Sequence, residues 1–285
     1  MQLRLFLILI VALFSVSSTA LVIRYVVTVP ALTLAFWRML TASMMLWSYE
    51  LIEKKEPLSA INRKRVFFAG IFLGLHFACF FLGVRYTSIA NATLFATLGP
   101  LFTSIIAFFQ RKKTSPLVYL GLVIALTGVL INQYGDLSLS SENLFGNALS
   151  LLSSFFIAIT FIIAAKIREN TDNIVYGRSL FFVASITIAI ISIFTNSSLF
   201  FFEKQHIFWF LFLGFVPSIL GHNMLNYALK YFSPTAVVSV PLGEPIIASF
   251  FGYLIFKELI PASSLISAPI ILGGVFLVLK NQDRT

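Results

Sequence analysis

The chain has 285 residues, of which 59% are hydrophobic and 11% charged, with a formal net charge of +9. A soluble domain carries roughly 25% charged residues, so this composition excludes a water-soluble globular protein, and a mean hydropathy of +0.95 requires some surface to face lipid. The single cysteine, Cys79, excludes an internal disulfide and a cysteine metal cluster, and the basic residues sit in short tracts between apolar runs, which fits membrane orientation rather than a nucleic-acid partner.

A helix needs about 20 mostly apolar residues to cross a bilayer. The first candidate, 3–23, imitates a signal peptide, with Arg4, an apolar run and the small residues Ser17-Ser18-Thr19-Ala20. Its apolar run continues to Ile23 and more membrane sequence follows, so an uncleaved first span is expected. Further spans are expected at 31–52, 66–84, 91–109, 116–133, 146–165, 174–194, 207–228, 235–256 and 262–279. The mixed-charge block from Glu50 to Arg65 reads as the solvated connection between the second and third. The apolar runs are continuous and do not alternate at period two, so they are helices and not barrel strands.

With the N-terminus inside, 14 of the 20 Lys and Arg fall on the inner side and four (Arg24, Arg85, Lys204, Lys257) on the outer side. Arg38 and Arg178 lie within spans. This bias places both termini in the cytoplasm of a multi-pass protein of the cell (plasma or inner) membrane.

The two halves resemble each other. A shift of 145 puts Tyr86 on Tyr231, Ser88 on Ser233, Pro100 on Pro245, Ser104 on Ser249, Pro116 on Pro261 and Gly128 on Gly273, and a shift of 140 puts Arg38 on Arg178. The expected organisation is a first half at 1–133, an extracytoplasmic linker at 134–145 and a second half at 146–285. Five spans per half is odd, so the halves enter the membrane from opposite sides. Such inverted repeats are a common transporter architecture with a central site. The break around Gly99-Pro100 falls at the same place in the repeat as the break around Gly243-Pro245, and these residues are the candidate hinge points.

Three stretches carry a family likeness: Phe36-Trp37-Arg38, Pro241-Leu242-Gly243-Glu244-Pro245, and Phe256-Lys257-Glu258 with Pro261 and Gly273-Gly274. With the ten-span pattern, the chain resembles the EamA-type branch of the drug/metabolite transporter superfamily. The resemblance implies an all-α membrane fold of two inverted five-helix repeats around a central cavity, moving small organic molecules, often exporting metabolites or amino acids. It brings Trp37 in as a candidate substrate contact beside Arg38. One departure is Lys113, the counterpart of Glu258, where such proteins often keep an acidic residue.

Ionisable groups within a span are costly and need a reason. Glu244 lies between Pro241 and Pro245 near the middle of its span. It is read either as a cavity residue binding a cation or proton, or as a hydrogen-bond acceptor at a proline kink. Arg38 and Arg178 are read as forked donors for an anionic group, or as side chains that snorkel or pair with Glu50 or Glu169. His76, His222, Asn223, Asn226, Tyr227, Tyr86 and Asn91 are further candidate contacts, with interhelical packing and hydrogen bonding as the alternative. Gly70 and Gly74 form a small-xxx-small segment suited to close helix packing.

No zinc-protease, serine-hydrolase or phosphate-loop motif is present, so neither an enzyme, a metal site, a cofactor nor ATP-driven pumping by this chain is expected. The expected partners are the lipid bilayer and a small-molecule solute, with protons as a candidate coupling ion and a second copy as a candidate partner in a homodimer. The leading reading is a secondary transporter working by alternating access. A channel-like or structural membrane component is the alternative.

Overall fold

The computed structural model describes residues 2–132, 141–256 and 262–282. The Lys257-Glu258-Pro261 stretch and most of the expected linker lie outside these. The described residues form helices without a strand.

In chain order the spans are α1 (Gln2–Tyr25), α2 (Ala31–Ile52) and α3 (Ala60–Tyr86), then a broken fourth span, α4 (Ile89–Ala96) and α5 (Gly99–Phe109), and α6 (Pro116–Asn132). The second half holds α7 (Ser141–Arg168), α8 (Asn173–Phe194), a composite eighth span, a broken ninth and α13 (Ala262–Asn281). The eighth span runs from a 3-10 turn (Lys204–His206) through α9 (Ile207–Leu213), a π-helical segment (Gly214–Asn223) and α10 (Met224–Ala228). The ninth consists of α11 (Pro234–Ser239), a 3-10 turn (Val240–Gly243) and α12 (Glu244–Phe256).

Among the described residues, six helical stretches are long and apolar enough to cross a membrane, and three shorter apolar ones accompany them. The 22-residue α2 carries Arg38 and Glu50.

Side-chain caps set several boundaries. Ser59 accepts from the Asn62 amide at 3.3 Å, which starts α3 six residues before the expected span. The basic turn Arg63-Lys64-Arg65 is therefore helical, and Glu50 is still within α2, which corrects the reading of 50–65 as one solvated connection. Likewise α7 begins at Ser141, so 141–145 belong to a helix and not to a linker. Ser88 and Ser233 cap α4 and α11 in the same way, accepting from the third amide onward at 3.1 and 3.3 Å. Such caps satisfy amides that the first helical turn leaves unbonded.

The breaks also have local causes. Pro100 and Pro245 both sit at the starts of helical segments, after an interruption at Thr97–Leu98 and after the Val240–Gly243 turn. Proline lacks the amide that would continue the hydrogen-bond ladder across each interruption. Pro217 lies inside the eighth span, where the helix relaxes to the π form over ten residues.

The spans pack as α3 on α7, α2 on α8, α6 on α13 and α1 on the π segment. Gly70 and Gly74 let α3 approach α8: a Cβ at either would lie 2.5–2.6 Å from the Cβ of Val183 or Thr187. Large apolar side chains such as Phe108, Phe194 and Phe276 remain exposed on the outer surface, as a lipid-facing surface allows.

Candidate functional site

Four ionisable side chains from four spans line one cavity: Arg38 from α2, His76 from α3, His222 from the π segment and Glu244 from the start of α12. The cavity has a volume of about 40 Å³ and is walled by Phe77, Phe80, Ile157, Phe161 and Val238, with Thr19 and Thr97 as further polar groups.

Pro217 organises one wall. It cannot bond the carbonyl of Leu213, and that carbonyl instead accepts from the Ser218 hydroxyl at 2.8 Å. Ser218 in turn accepts from Arg38 Nε at 2.9 Å. The Pro217 carbonyl accepts from Nη2 at 3.2 Å, and Thr19 Oγ1 accepts from Nη1 at 3.2 Å. The guanidinium lies over the Phe77 ring at 4.2 Å. Arg38 is 0% exposed. It ties α1, α2, α3 and the eighth span together.

His76 places Nδ1 3.0 Å from the Ser153 carbonyl and 2.8 Å from the Ser153 hydroxyl on α7. A carbonyl only accepts, so Nδ1 carries the proton and Nε2 is the acceptor of the neutral ring. The His222 ring lies 6.1 Å from that of His76 and 5.0 Å from Phe77. Its Nδ1 has no hydrogen-bond partner among the described residues.

Glu244 faces the Arg38 charge without an ion-pair contact, since the described ion pairs are Glu53–Lys55 and Glu50–Arg178. No hydrogen bond to its carboxylate occurs among the described residues. The site thus combines a buried cation, with three of its five N–H groups engaged, and acceptors without a donor among the described residues.

The structure does not bring the other candidates to this cavity. Arg178 pairs with Glu50, and its guanidinium stacks over Trp47 at 3.8 Å. Its charge is balanced by a neighbour on α2, the contact that the pairing alternative describes. Trp37 donates to the Leu199 carbonyl at 2.9 Å and stacks on Phe210 at 5.6 Å, and it does not line the cavity. Asn91 donates to Asn147 at 3.1 Å and Thr87 at 3.3 Å, joining α4 to α7. The Asn223 carbonyl accepts from Asn173 at 2.9 Å. Tyr227 meets the Tyr231 hydroxyl at 3.3 Å, and Tyr86 is exposed against Phe145. Gly99 packs against Val238, and Gly243 against Leu13.

Sequence reasoning missed Thr19, Ser153 and Ser218, the partners that fix the ionisable groups. It also missed Arg168, which is 3% exposed and donates to the Asn226 carbonyl at 3.1 Å. Pro217 was the available signal for Ser218. Nothing in the sequence marked the others.

The Glu50–Arg178 pair leads to a direct expectation. Glu50→Gln leaves a largely buried guanidinium unneutralised, and thermal unfolding in detergent should show a loss of about 2 kcal/mol. The swap Glu50→Arg with Arg178→Glu should recover part of it, whereas no loss in the single variant would make the pair inconsequential.

The comparisons with known proteins agree with this architecture. The profile of the EamA-like transporter family matches residues 3–133 and 144–280. An uncharacterized transporter of Archaeoglobus fulgidus is 24% identical over 260 residues, covering 88% of each chain. The pseudopaline exporter CntI of Pseudomonas aeruginosa is 25% identical over 272 residues, covering 93% of this chain and 89% of that protein. A solved crystal structure shares the fold, with a TM-score of 0.77 over 96% of both chains at 15% identity. The family match covers nearly the whole described structure, and the chain belongs to the EamA-like transporter family as a multi-pass membrane transporter.

Proposed function

We propose that the protein is a secondary transporter that moves a small organic solute through the Arg38–His76–His222–Glu244 cavity by alternating access. The observation that carries this reading is that both halves wall the cavity: Arg38 and His76 come from the first, His222 and Glu244 from the second. Its volume of about 40 Å³ suffices for one or a few waters. Pockets for organic ligands run to roughly 300–1,000 Å³, so a solute enters only when the spans part.

Two inverted five-span halves, at 1–133 and 146–285, supply the motion, with both termini cytoplasmic. Three observations support the inverted repeat. The serines at positions 88 and 233 both cap helices, and the breaks before Pro100 and Pro245 match. The packing also maps onto itself when the halves are exchanged: α2 on α8 and α6 on α13 are each self-matched, and α3 on α7 exchanges with the eighth span on α1. The broken fourth and ninth spans are the points where the halves bend.

Cysteine accessibility tests the mechanism without knowledge of the solute. Ala96 lines the cavity, and Ala96→Cys in a Cys79→Ser background should react with a membrane-impermeant maleimide from either face of sealed vesicles. The unreacted reagent should not leak across. Leakage of reagent and small ions would favour the channel reading. A cysteine inert from both faces would remove the cavity from the solute path.

A further inference from the structure

We infer that the solute is anchored in this cavity by a protonated amine seated on the Glu244 carboxylate, and not by a carboxylate held on Arg38. The inference rests on the reading of the cavity as the solute site and names the chemistry that the site accepts.

The argument is a census of what each polar group in the cavity already does. Arg38 donates to Thr19, to the Pro217 carbonyl and to Ser218, is covered by Phe77, and presents no exposed surface. Two of its five N–H groups have no acceptor, but the guanidinium is fully buried beneath Phe77, so a carboxylate reaches them only after the surrounding spans move. His76 commits Nδ1 to Ser153. The Thr97 hydroxyl donates to the Leu94 carbonyl at 3.1 Å, and the Thr19 oxygen accepts from Arg38.

Glu244 and His222 are different. Both remain partly exposed. The carboxylate has no hydrogen-bond donor among the described residues, and the buried His222 Nδ1 has no partner. A carboxylate only accepts, and a neutral imidazole supplies one acceptor and one donor. The groups that a solute can reach are therefore deficient in donors, and an ammonium supplies three.

The Arg38 charge opposes a cation, but it lies beyond ion-pair distance from Glu244, whereas an amine would sit in direct contact. Coulombic energy falls with separation, so the contact pair dominates. Phe77, Phe80 and Phe161 add apolar walls, and a ring face near an ammonium contributes further attraction. The preferred solute is then an amine with an apolar or aromatic body. A zwitterion would also be anchored through its amine.

The test is equilibrium binding to the purified protein in lipid nanodiscs by titration calorimetry, with three matched probes: 2-phenylethylamine, 3-phenylpropionate and phenylalanine. Saturable binding of 2-phenylethylamine is expected, with no competition from 3-phenylpropionate. Glu244→Gln should weaken the amine at least tenfold, and Glu244→Asp, which keeps the charge, should restore part of the affinity and show that the site is folded. The inference is overturned if 3-phenylpropionate binds in preference to the amine, if Glu244→Gln binds the amine like wild type, or if no saturable amine binding occurs up to millimolar concentration. The transporter reading is judged separately by the Ala96→Cys accessibility, which none of these outcomes changes.

Discussion

Arg38→Ala is expected to lower the unfolding stability of the detergent-solubilised protein by about 3 kcal/mol. The side chain donates to three acceptors on α1 and the eighth span and packs its charged face on α3. Interhelical hydrogen bonds between neutral groups in a membrane average only about 0.6 kcal/mol. Those to a charged donor are stronger, and the truncation leaves the Pro217 carbonyl and the Ser218 hydroxyl facing a void. Arg38→Lys keeps a charge but lacks the planar fork that reaches separate acceptors at once, so it should recover no more than about half of the loss. Chemical or thermal unfolding followed by tryptophan fluorescence reads both variants. A fully stable Arg38→Ala protein would show that the arginine is not the tie between spans described above.

The second large effect is expected at Gly274. There α13 crosses α6 so closely that a Cβ would lie 2.5 Å from the Ala125 amide nitrogen and 2.6 Å from the Gly121 carbonyl oxygen. Both obstacles are backbone, so no rotamer change relieves the clash and the helices must separate. Overpacking costs roughly 1–3 kcal/mol for small additions. Gly274→Ala should fall in that range, and Gly274→Leu should exceed it and prevent recovery of folded protein. The adjacent Gly273 is the control, because nothing lies within 4 Å of its added Cβ. Gly273→Ala should stay within about 0.5 kcal/mol of wild type. Monodispersity after extraction and the thermal midpoint distinguish these outcomes, and equal behaviour of the two glycines would contradict the packing of α6 on α13.

The span pattern was legible because one physical requirement, a run of apolar residues long enough for the bilayer, dominates the sequence. The second span was expected at 31–52 and α2 covers Ala31–Ile52. The seventh was expected at 174–194 and α8 covers Asn173–Phe194. Helix rotation was much harder to read. In a soluble helix the apolar stripe marks the buried side, but here lipid and protein interior are both apolar. Trp37 and Arg38 were adjacent candidates, yet neighbours on a helix point about 100° apart, and one faces the Phe200–Phe202–Phe210 cluster while the other faces the cavity. The repeat-related Arg38 and Arg178 diverged for a different reason. The partner of Arg178 is Glu50, on the same helix as Arg38, and the repeat shift of 140 carries position 50 to Ile190 rather than to another carboxylate. The breaks at 97–100 and 240–245 were visible because proline and glycine announce backbone geometry by themselves. Their consequence, a carboxylate that lines one cavity with two histidines and an arginine, depended on how distant spans pack.

Among the described residues Glu244 is the single carboxylate that lines the cavity, and the residue related to it by the 145 shift is Gly99. One pair of oxygens can hold one cationic group, so under the amine inference above a proton and the solute amine would compete for it. Under the proposed alternating-access reading, such a carrier would exchange the two one for one. The ceiling on accumulation then follows from thermodynamics alone: a monovalent amine can be concentrated about tenfold for each pH unit across the membrane, because one pH unit is worth about 1.36 kcal/mol and one proton is spent per solute. The voltage across the membrane does not enter, since an exchange of one positive charge for another moves no net charge.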